Sequence, residues 1–170
     1  MLRGVIAEAA FEIEVLSTLT RWKNVTPDGD FPFDYVLSNG IQNISIQVKL
    51  QRSKNLKPMT ANEASKKFSK DLFVVETQKT RGGIDIITKE NTRPYRFNEF
   101  DILAVSMQPS TEKWISFMYT VANWLLPQEE GSKKMFKFQP VSPIANNDWT
   151  DNFETCVSWM NQNSNKKIKS

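Results

Sequence analysis

Apolar residues near the N-terminus recur every three or four positions, which is the spacing of one face of a helix. The pattern predicts a helix over residues 3–20 with a single buried face. That face comprises Ile6, Ala9, Ala10, Ile13, Leu16 and Leu19. Glu8 and Glu12 are four residues apart and therefore share a different strip of the same helix. Residues 24–32 are rich in proline, glycine and aspartate, so they end the helix.

The following segment has a period of two, which is typical of strands. Residues 33–37 predict a short strand, and Asn39-Gly40 supplies the positive backbone angle of a tight hairpin turn. Residues 44–51 alternate strictly between apolar and polar side chains. The apolar face holds Ile44, Ile46, Val48 and Leu50, and the polar face holds Ser45, Gln47, Lys49 and Gln51. An antiparallel hairpin therefore follows the first helix.

Weaker periodic signals predict the remaining elements. A short basic helix is predicted over 60–70, and it begins with a Thr60/Glu63 capping box. A strand over 72–76, a loop over 78–98 and two strands over 100–107 and 114–119 follow. The last element is an amphipathic helix over 151–161 that buries Phe153, Cys156, Val157 and Met160. The tail over 162–170 is expected to fray. The order predicts one domain over residues 1–170 of the α/β (more strictly α+β) class, with a mixed central sheet flanked by helices and a core over about 3–127.

Composition removes whole classes of chemistry. Among its 170 residues the chain has no histidine and one cysteine, Cys156. Zinc sites of the Cys/His type, histidine-dependent nucleophile pairs and histidine-based nucleases are therefore excluded, as is an intrachain disulfide. Carboxylates, lysines, hydroxyls and metals with oxygen ligands remain. No apolar run is long enough to span a membrane, and three glutamates precede residue 15, so we expect a cytoplasmic protein without a signal peptide.

The net charge of +3 is distributed unevenly. Residues 1–48 carry three basic and six acidic side chains, a net of −3, whereas residues 49–81 carry nine basic and three acidic ones, a net of +6. Such blocks are often only solvated surface. The same blocks would also suit an acidic metal-binding site next to a basic surface that binds a polyanion.

Four polar residues are predicted to meet at the hairpin. Asp34 begins the first strand, Gln47 and Lys49 point to the same face of the second, and the preceding helix offers Glu8. Oxygen ligands of this kind suit Mg²⁺, and a neighbouring lysine can orient water or stabilise charge on a phosphate. The plainer alternative is that each of the four is an ordinary solvated surface residue.

These residues resemble the PD-(D/E)xK nuclease superfamily, and within it the branch that holds the group I intron homing endonuclease of that restriction-endonuclease-like fold. The resemblance covers about residues 3–127. Its motifs are Gly4-x-x-Ala7-Glu8, Pro27-Asp28-Gly29-Asp30, Phe33-Asp34, Ile46-Gln47-Val48-Lys49, Phe100-Asp101 and the segment from Trp114 to Pro127.

The resemblance implies a role for each site residue. Asp34 would be the central metal ligand, Glu8 a second ligand or the acid that orients water, and Lys49 the catalytic lysine. Gln47, a further ligand, stands where the superfamily usually has an acid, so the site holds one negative charge fewer and the number of metals stays open. The implied cofactor is Mg²⁺, with Mn²⁺ as a substitute.

The basic residues after the hairpin are the expected DNA contacts. Those expected at phosphates are Gln51, Arg52, Lys54, Lys57, Lys79 and Arg81, and those expected at base edges are Gln78, Arg93 and Arg96. One site cuts one strand, so cleavage of double-stranded DNA implies a homodimer or homotetramer.

The sequence therefore predicts a Mg²⁺-dependent, site-specific DNA endonuclease. Between two biological roles we favour a type II restriction enzyme, to which the compact chain points. The alternative is a homing endonuclease of the same fold, to which the family resemblance points. A third possibility is a catalytically weak DNA-binding or repair module, and the neutral Gln47 is the residue that points to it.

Overall fold

A five-stranded mixed sheet forms the centre of the protein in a computed structural model that describes residues 2–170. Its strands, in spatial order, are β1 (Lys23–Asn24), β2 (Tyr35–Ser38), β3 (Asn43–Leu50), β7 (Ile102–Ser106) and β8 (Phe117–Val121). β3 and β7 run parallel, and every other neighbouring pair is antiparallel. The predicted mixed α+β architecture and the hairpin are confirmed.

Strand β7 is central, as its apolar sequence predicts. All five of its residues are buried, because β3 and β8 pair with its two edges. The adjoining strand is offset from its predicted position over 114–119 and instead spans Phe117–Val121. Two small antiparallel pairs accompany the main sheet. They are β4 (Ser53–Lys54) with β5 (Lys57–Pro58), and β6 (Phe73–Glu76) with β9 (Phe138–Val141).

The first helix changes type along its length. An α-helical part, α1 (Leu2–Ala10), continues into a π-helical turn over Phe11–Val15 and a 3₁₀ turn over Leu16–Thr18. The face that packs on the sheet consists of Ala7, Ala10, Phe11 and Val15. Of the predicted buried face, Ala10 is buried and Leu16 and Leu19 are half-buried against the core. The prediction is wrong for Ile6, Ala9 and Ile13, which are exposed.

The other helices are short or C-terminal. α2 (Ala61–Ala64) is shorter than the predicted 60–70 helix, although its predicted capping box forms, with Glu63 accepting the backbone N–H of Thr60 at 2.7 Å. α3 spans Gln108–Thr111 and α4 spans Phe153–Gln162. Residues 2–170 contain no helix with both the length and the apolarity needed to cross a bilayer.

The C-terminal tail is packed, so the prediction that it frays is wrong. The backbone N–H of Ile168 donates to the carbonyl of Trp124 at 2.8 Å, and the indole N–H of Trp124 donates to Ser164 at 3.1 Å. Lys166 forms an ion pair with the buried Asp148 at 2.7 Å. The side chain of Ile168 is only 3% exposed. It is the one apolar residue of this polar tail, and it packs in the protein interior.

We expect Ile168→Ala to lower the free energy of unfolding by about 2–4 kcal/mol, because it leaves a cavity where a buried isoleucine was. Ile144→Ala, at an exposed isoleucine, is the matched control and should change stability little. Urea unfolding followed by circular dichroism measures both. Equal stability of the two variants would show that the tail contributes nothing.

Candidate active site

The β2–β3 hairpin holds the aspartate and the glutamine of the predicted site against each other. The backbone N–H of Asp34 donates to the carbonyl of Ile46 at 2.9 Å, which continues the strand pairing by one residue. Oδ2 of Asp34 accepts hydrogen bonds from Nε2 of Gln47 at 2.9 Å and from the backbone N–H of Val48 at 2.8 Å. Among residues 2–170, no group donates to Oδ1 of Asp34, so this oxygen is free for a ligand.

Lys49 lies on the same face of β3 as Gln47 and is held from two sides. Its Nζ donates to the backbone carbonyl of Gln78 at 3.1 Å and lies 5.3 Å from the ring centroid of Tyr95. Burial lowers the pKa of Lys49, while Asp34 and Glu8 act in the opposite direction. The lysine is thus a partly desolvated cation whose position is fixed.

Glu8 reaches the site from the end of α1. The hydroxyl of Tyr35 donates to the backbone carbonyl of Glu8 at 3.0 Å, just before the helix changes from α to π. Such a π turn frequently occurs at functional sites. Burial raises the pKa of Glu8, nearby Asp34 raises it further, and Lys49 lowers it. The three charged groups therefore interact electrostatically.

Asp34 also has a raised pKa. Burial is the largest cause, and the hydrogen bond from Val48 and the charge of Lys49 partly oppose it. Carboxyl and lysine groups with perturbed pKa values in one cleft are typical of functional sites, because a structural surface pair has little reason to be desolvated.

All four predicted residues line one cleft of about 660 Å³. The other lining residues are Asp30, Phe31, Pro32, Lys79, Thr80, Arg81, Tyr95 and Glu99. The structure therefore brings together the helix and hairpin residues that the sequence predicted as a group.

The sequence did not predict Tyr95 or Glu99 as part of the site. The buried ring of Tyr95 lies between two ammonium groups, 5.3 Å from Lys49 and 5.6 Å from Lys79. Glu99 pairs with Lys79 at 2.8 Å. Neither residue has a periodic pattern around it, so the only available signal was that loop 78–98 carries several basic residues.

The donor set fits a hard divalent cation. Within residues 2–170 no three acidic, cysteine or histidine side chains converge on one point, so a metal here would have two carboxylates, Asp34 and Glu8, with the amide oxygen of Gln47 as a neutral addition. Mg²⁺ commonly binds through one or two carboxylates and keeps several waters. The free Oδ1 of Asp34 is consistent with that kind of site.

We expect Gln47→Glu to raise the affinity for Mg²⁺ by roughly tenfold, because it adds a carboxylate to the donor set. In the metal-free protein the same change places a carboxylate against Asp34 and removes a donated hydrogen bond, so thermal stability should fall. Calorimetric titration and melting with and without Mg²⁺ measure both effects. Gln128→Glu, at an exposed glutamine, is the control. An unchanged Mg²⁺ affinity would refute the placement of Gln47 in the metal site.

The nine predicted DNA contacts occupy different environments. Lys79 and Arg81 line the cleft, and Gln78 meets it through the carbonyl that binds Lys49. Lys54 and Lys57 are exposed on the β4–β5 hairpin.

Three other predicted contacts are already engaged within the chain. Arg52 pairs with Glu76, and Arg96 pairs with Glu90 at 2.9 Å. Arg93 is exposed, and its Nε donates to the carbonyl of Lys79 at 3.3 Å.

Gln51 departs from the expectation that it contacts DNA. Its side chain is only 1% exposed, because residue 51 pairs with Val75 and β6 covers that end of β3. Neither polar atom of its amide has a partner in the described chain. In this structure the side chain of Gln51 is buried beneath β6.

Comparisons with known proteins give one informative result. No protein-family model matches the chain, and no curated protein matches it. Among solved structures it is similar to the bacterial homing endonuclease I-Ssp6803I, at 18% sequence identity and a TM-score of 0.49, over 93% of this chain and 88% of that one.

Proposed function

We propose that this protein is a Mg²⁺-dependent DNA endonuclease that hydrolyses phosphodiester bonds at preferred sites. The observation that carries the proposal is the cleft in which Asp34, Glu8, Gln47 and Lys49 meet, partly desolvated and electrostatically coupled. Because the chain has no histidine, carboxylates and lysine are the groups of this cleft that can take part in proton transfer and metal binding.

The metal would be held by Asp34 and Glu8, with Gln47 beside them. When bound, Mg²⁺ supplies Lewis acidity that neutralises charge on the phosphate and activates water. Gln47 also fixes the orientation of Asp34 through the 2.9 Å hydrogen bond to Oδ2, which leaves Oδ1 directed to the ligand. A positioned aspartate loses little side-chain entropy when it coordinates.

Lys49 and Glu8 supply the remaining chemistry. The Lys49 ammonium, fixed by Gln78 and Tyr95, is placed to stabilise negative charge that develops on the scissile phosphate. Proton acceptance by Glu8 is the alternative to its role as a ligand, since a carboxylate bound to a cation is a weaker base. When it is not a ligand, burial raises the pKa of Glu8, which makes its carboxylate a stronger acceptor for a proton of the attacking water. The oxygen of water forms a bond to phosphorus as the bond from phosphorus to a bridging oxygen breaks. The water gives up a proton to a carboxylate or to solvent, and the leaving oxygen takes up a proton from solvent.

Four exposed basic residues that follow the hairpin in sequence support DNA as the polyanion. Arg81, Lys54, Lys57 and Arg93 are exposed, and Arg81 lies at the cleft itself. Four phosphate contacts predict that the logarithm of DNA affinity falls with the logarithm of salt concentration at a slope of about −3 to −4. Fluorescence anisotropy of a labelled duplex measures the slope, and Arg81→Gln should make it shallower by about 0.9. A flat salt response would contradict this contact surface.

Two biological roles are compatible with this chemistry, and they predict different products. Digestion of a randomised duplex library with Mg²⁺, with an EDTA control, followed by sequencing of the product ends, separates them. A short palindromic site would identify a restriction enzyme. A long site would identify a homing endonuclease, the activity named for I-Ssp6803I. A library that binds the protein but stays uncut would reject the nuclease and leave a DNA-binding module.

A further inference from the structure

Helix α1 and its π-helical extension carry a second apolar face, opposite the one that packs on the sheet. Leu2, Val5 and Ile13 are 74%, 58% and 67% exposed, and Ile6 and Ala9 between them are also exposed. Positions 2, 5, 6, 9 and 13 are three or four residues apart, so the five side chains form one continuous stripe. Isolated exposed apolar residues are ordinary, whereas a continuous stripe marks an interaction surface. We call these five residues the α1 stripe.

Two opposite charges flank the α1 stripe on the same side. Arg3 and Glu14 are eleven residues apart, which is about three helical turns, so they lie in line at opposite ends of the stripe. Arg3 donates to Oε1 of Gln108 at 2.9 Å, and neither Arg3 nor Glu14 has an ion-pair partner within residues 2–170. The flank is therefore positive at one end and negative at the other.

We propose that the α1 stripe is the contact between two copies of this protein, paired antiparallel about a twofold axis. A twofold axis perpendicular to the helix places one flank of α1 against the same flank of the second copy, with the ends reversed. Leu2 of each copy then meets Ile13 of the other, and Arg3 meets Glu14. The stripe and its Arg3/Glu14 flank are thus complementary to themselves, as contact with a second copy requires, while the opposite flank carries Glu8 and Glu12.

The pairing also orients the active sites. Glu8 lies on the flank of α1 opposite Arg3, and the twofold axis keeps the two Glu8 flanks on one side of the helix pair. Both catalytic clefts therefore face the same side of the dimer. If the proposed function holds, one duplex can present its two strands to the two clefts.

Analytical ultracentrifugation without DNA or Mg²⁺ tests the pairing directly. The wild type should sediment as a dimer. Arg3→Glu and Glu14→Arg should each raise the dimer dissociation constant by at least about tenfold, because each places like charges together. The doubly exchanged protein, Arg3→Glu with Glu14→Arg, should recover dimerisation. Ile144→Glu, at an exposed isoleucine outside the stripe, is the control and should stay dimeric.

A monomeric wild type would overturn the proposal, and so would a doubly exchanged protein no better associated than the single variants. Melting curves of each variant show that it is folded, which the exposure of all the altered positions leads us to expect. In plasmid digestion, Val5→Glu with Ile13→Glu should shift the product from linear to nicked DNA. A plasmid left intact by the wild type, together with the expected sedimentation pattern, would refute the nuclease and support the dimer.

Discussion

Replacing Lys49 by methionine lowers the rate of DNA cleavage by about 100- to 10,000-fold, the range expected when a positioned proton-transfer or charge-stabilising group is lost. Methionine keeps most of the volume of the side chain but cannot donate to the Gln78 carbonyl or stabilise charge on a phosphate. DNA binding should remain nearly unchanged, because Lys49 is half-buried in the cleft and not part of the exposed basic surface. Single-turnover cleavage and anisotropy with the same duplex measure the two properties.

Lys113→Met is the matched control for that experiment. Lys113 is exposed and forms no ion pair within residues 2–170, so its loss removes one surface charge without touching the cleft. Its cleavage rate should equal that of the wild type. If Lys49→Met and Lys113→Met cleave equally well, Lys49 has no part in the reaction.

Replacing Asp34 by asparagine lowers the affinity for Mg²⁺ by more than about 100-fold, since even outer-shell partners of a metal contribute 10- to 100-fold. Cleavage should be lost in parallel. The fold should persist, because the asparagine carbonyl can still accept the hydrogen bond from the backbone of Val48. Calorimetric titration with Mg²⁺ measures the affinity, and an unchanged value would remove Asp34 from the site.

The same variant should also change how stability depends on pH. Burial raises the pKa of Asp34 in the folded protein, so protonation of this carboxyl favours folding. In the metal-free wild type, Asp34 therefore adds to the free energy of unfolding at pH values below the ordinary aspartate pKa. This stabilisation is lost as the pH rises through the raised pKa of Asp34 in the folded protein. Asparagine does not titrate, so Asp34→Asn should lack this loss and unfold at an equal or higher temperature than the wild type near neutral pH.

The hairpin and its site could be predicted from the sequence because strand alternation has a period of two. Once residues 44–51 alternate, Gln47 and Lys49 must share a face, and the Asn-Gly turn places Asp34 next to them. The same rule fails at Gln51, which has the correct parity but is covered by β6. The alternation of apolar and polar residues shows on which face of a strand a side chain lies, but it does not show what packs against that face.

Two other differences have related causes. The apolar period of the first helix predicted a buried face, but the helix is apolar on both sides. Its fully buried residues are Ala7, Ala10, Phe11 and Val15, and of the predicted face Leu16 and Leu19 are half-buried against the core. A pattern of apolar residues cannot say which face meets the core. The tail over 162–170 is polar apart from Ile168, so its packing depends on one residue that composition does not reveal.

Digestion of supercoiled plasmid and phage DNA tests most directly whether one metal-dependent cleft of this protein cuts DNA. The wild type, incubated at low salt with Mg²⁺ or Mn²⁺, should give cut products that are absent with EDTA and absent with Lys49→Met. DNA that stays intact with either metal, or cutting that persists in EDTA or in Lys49→Met, would contradict the account.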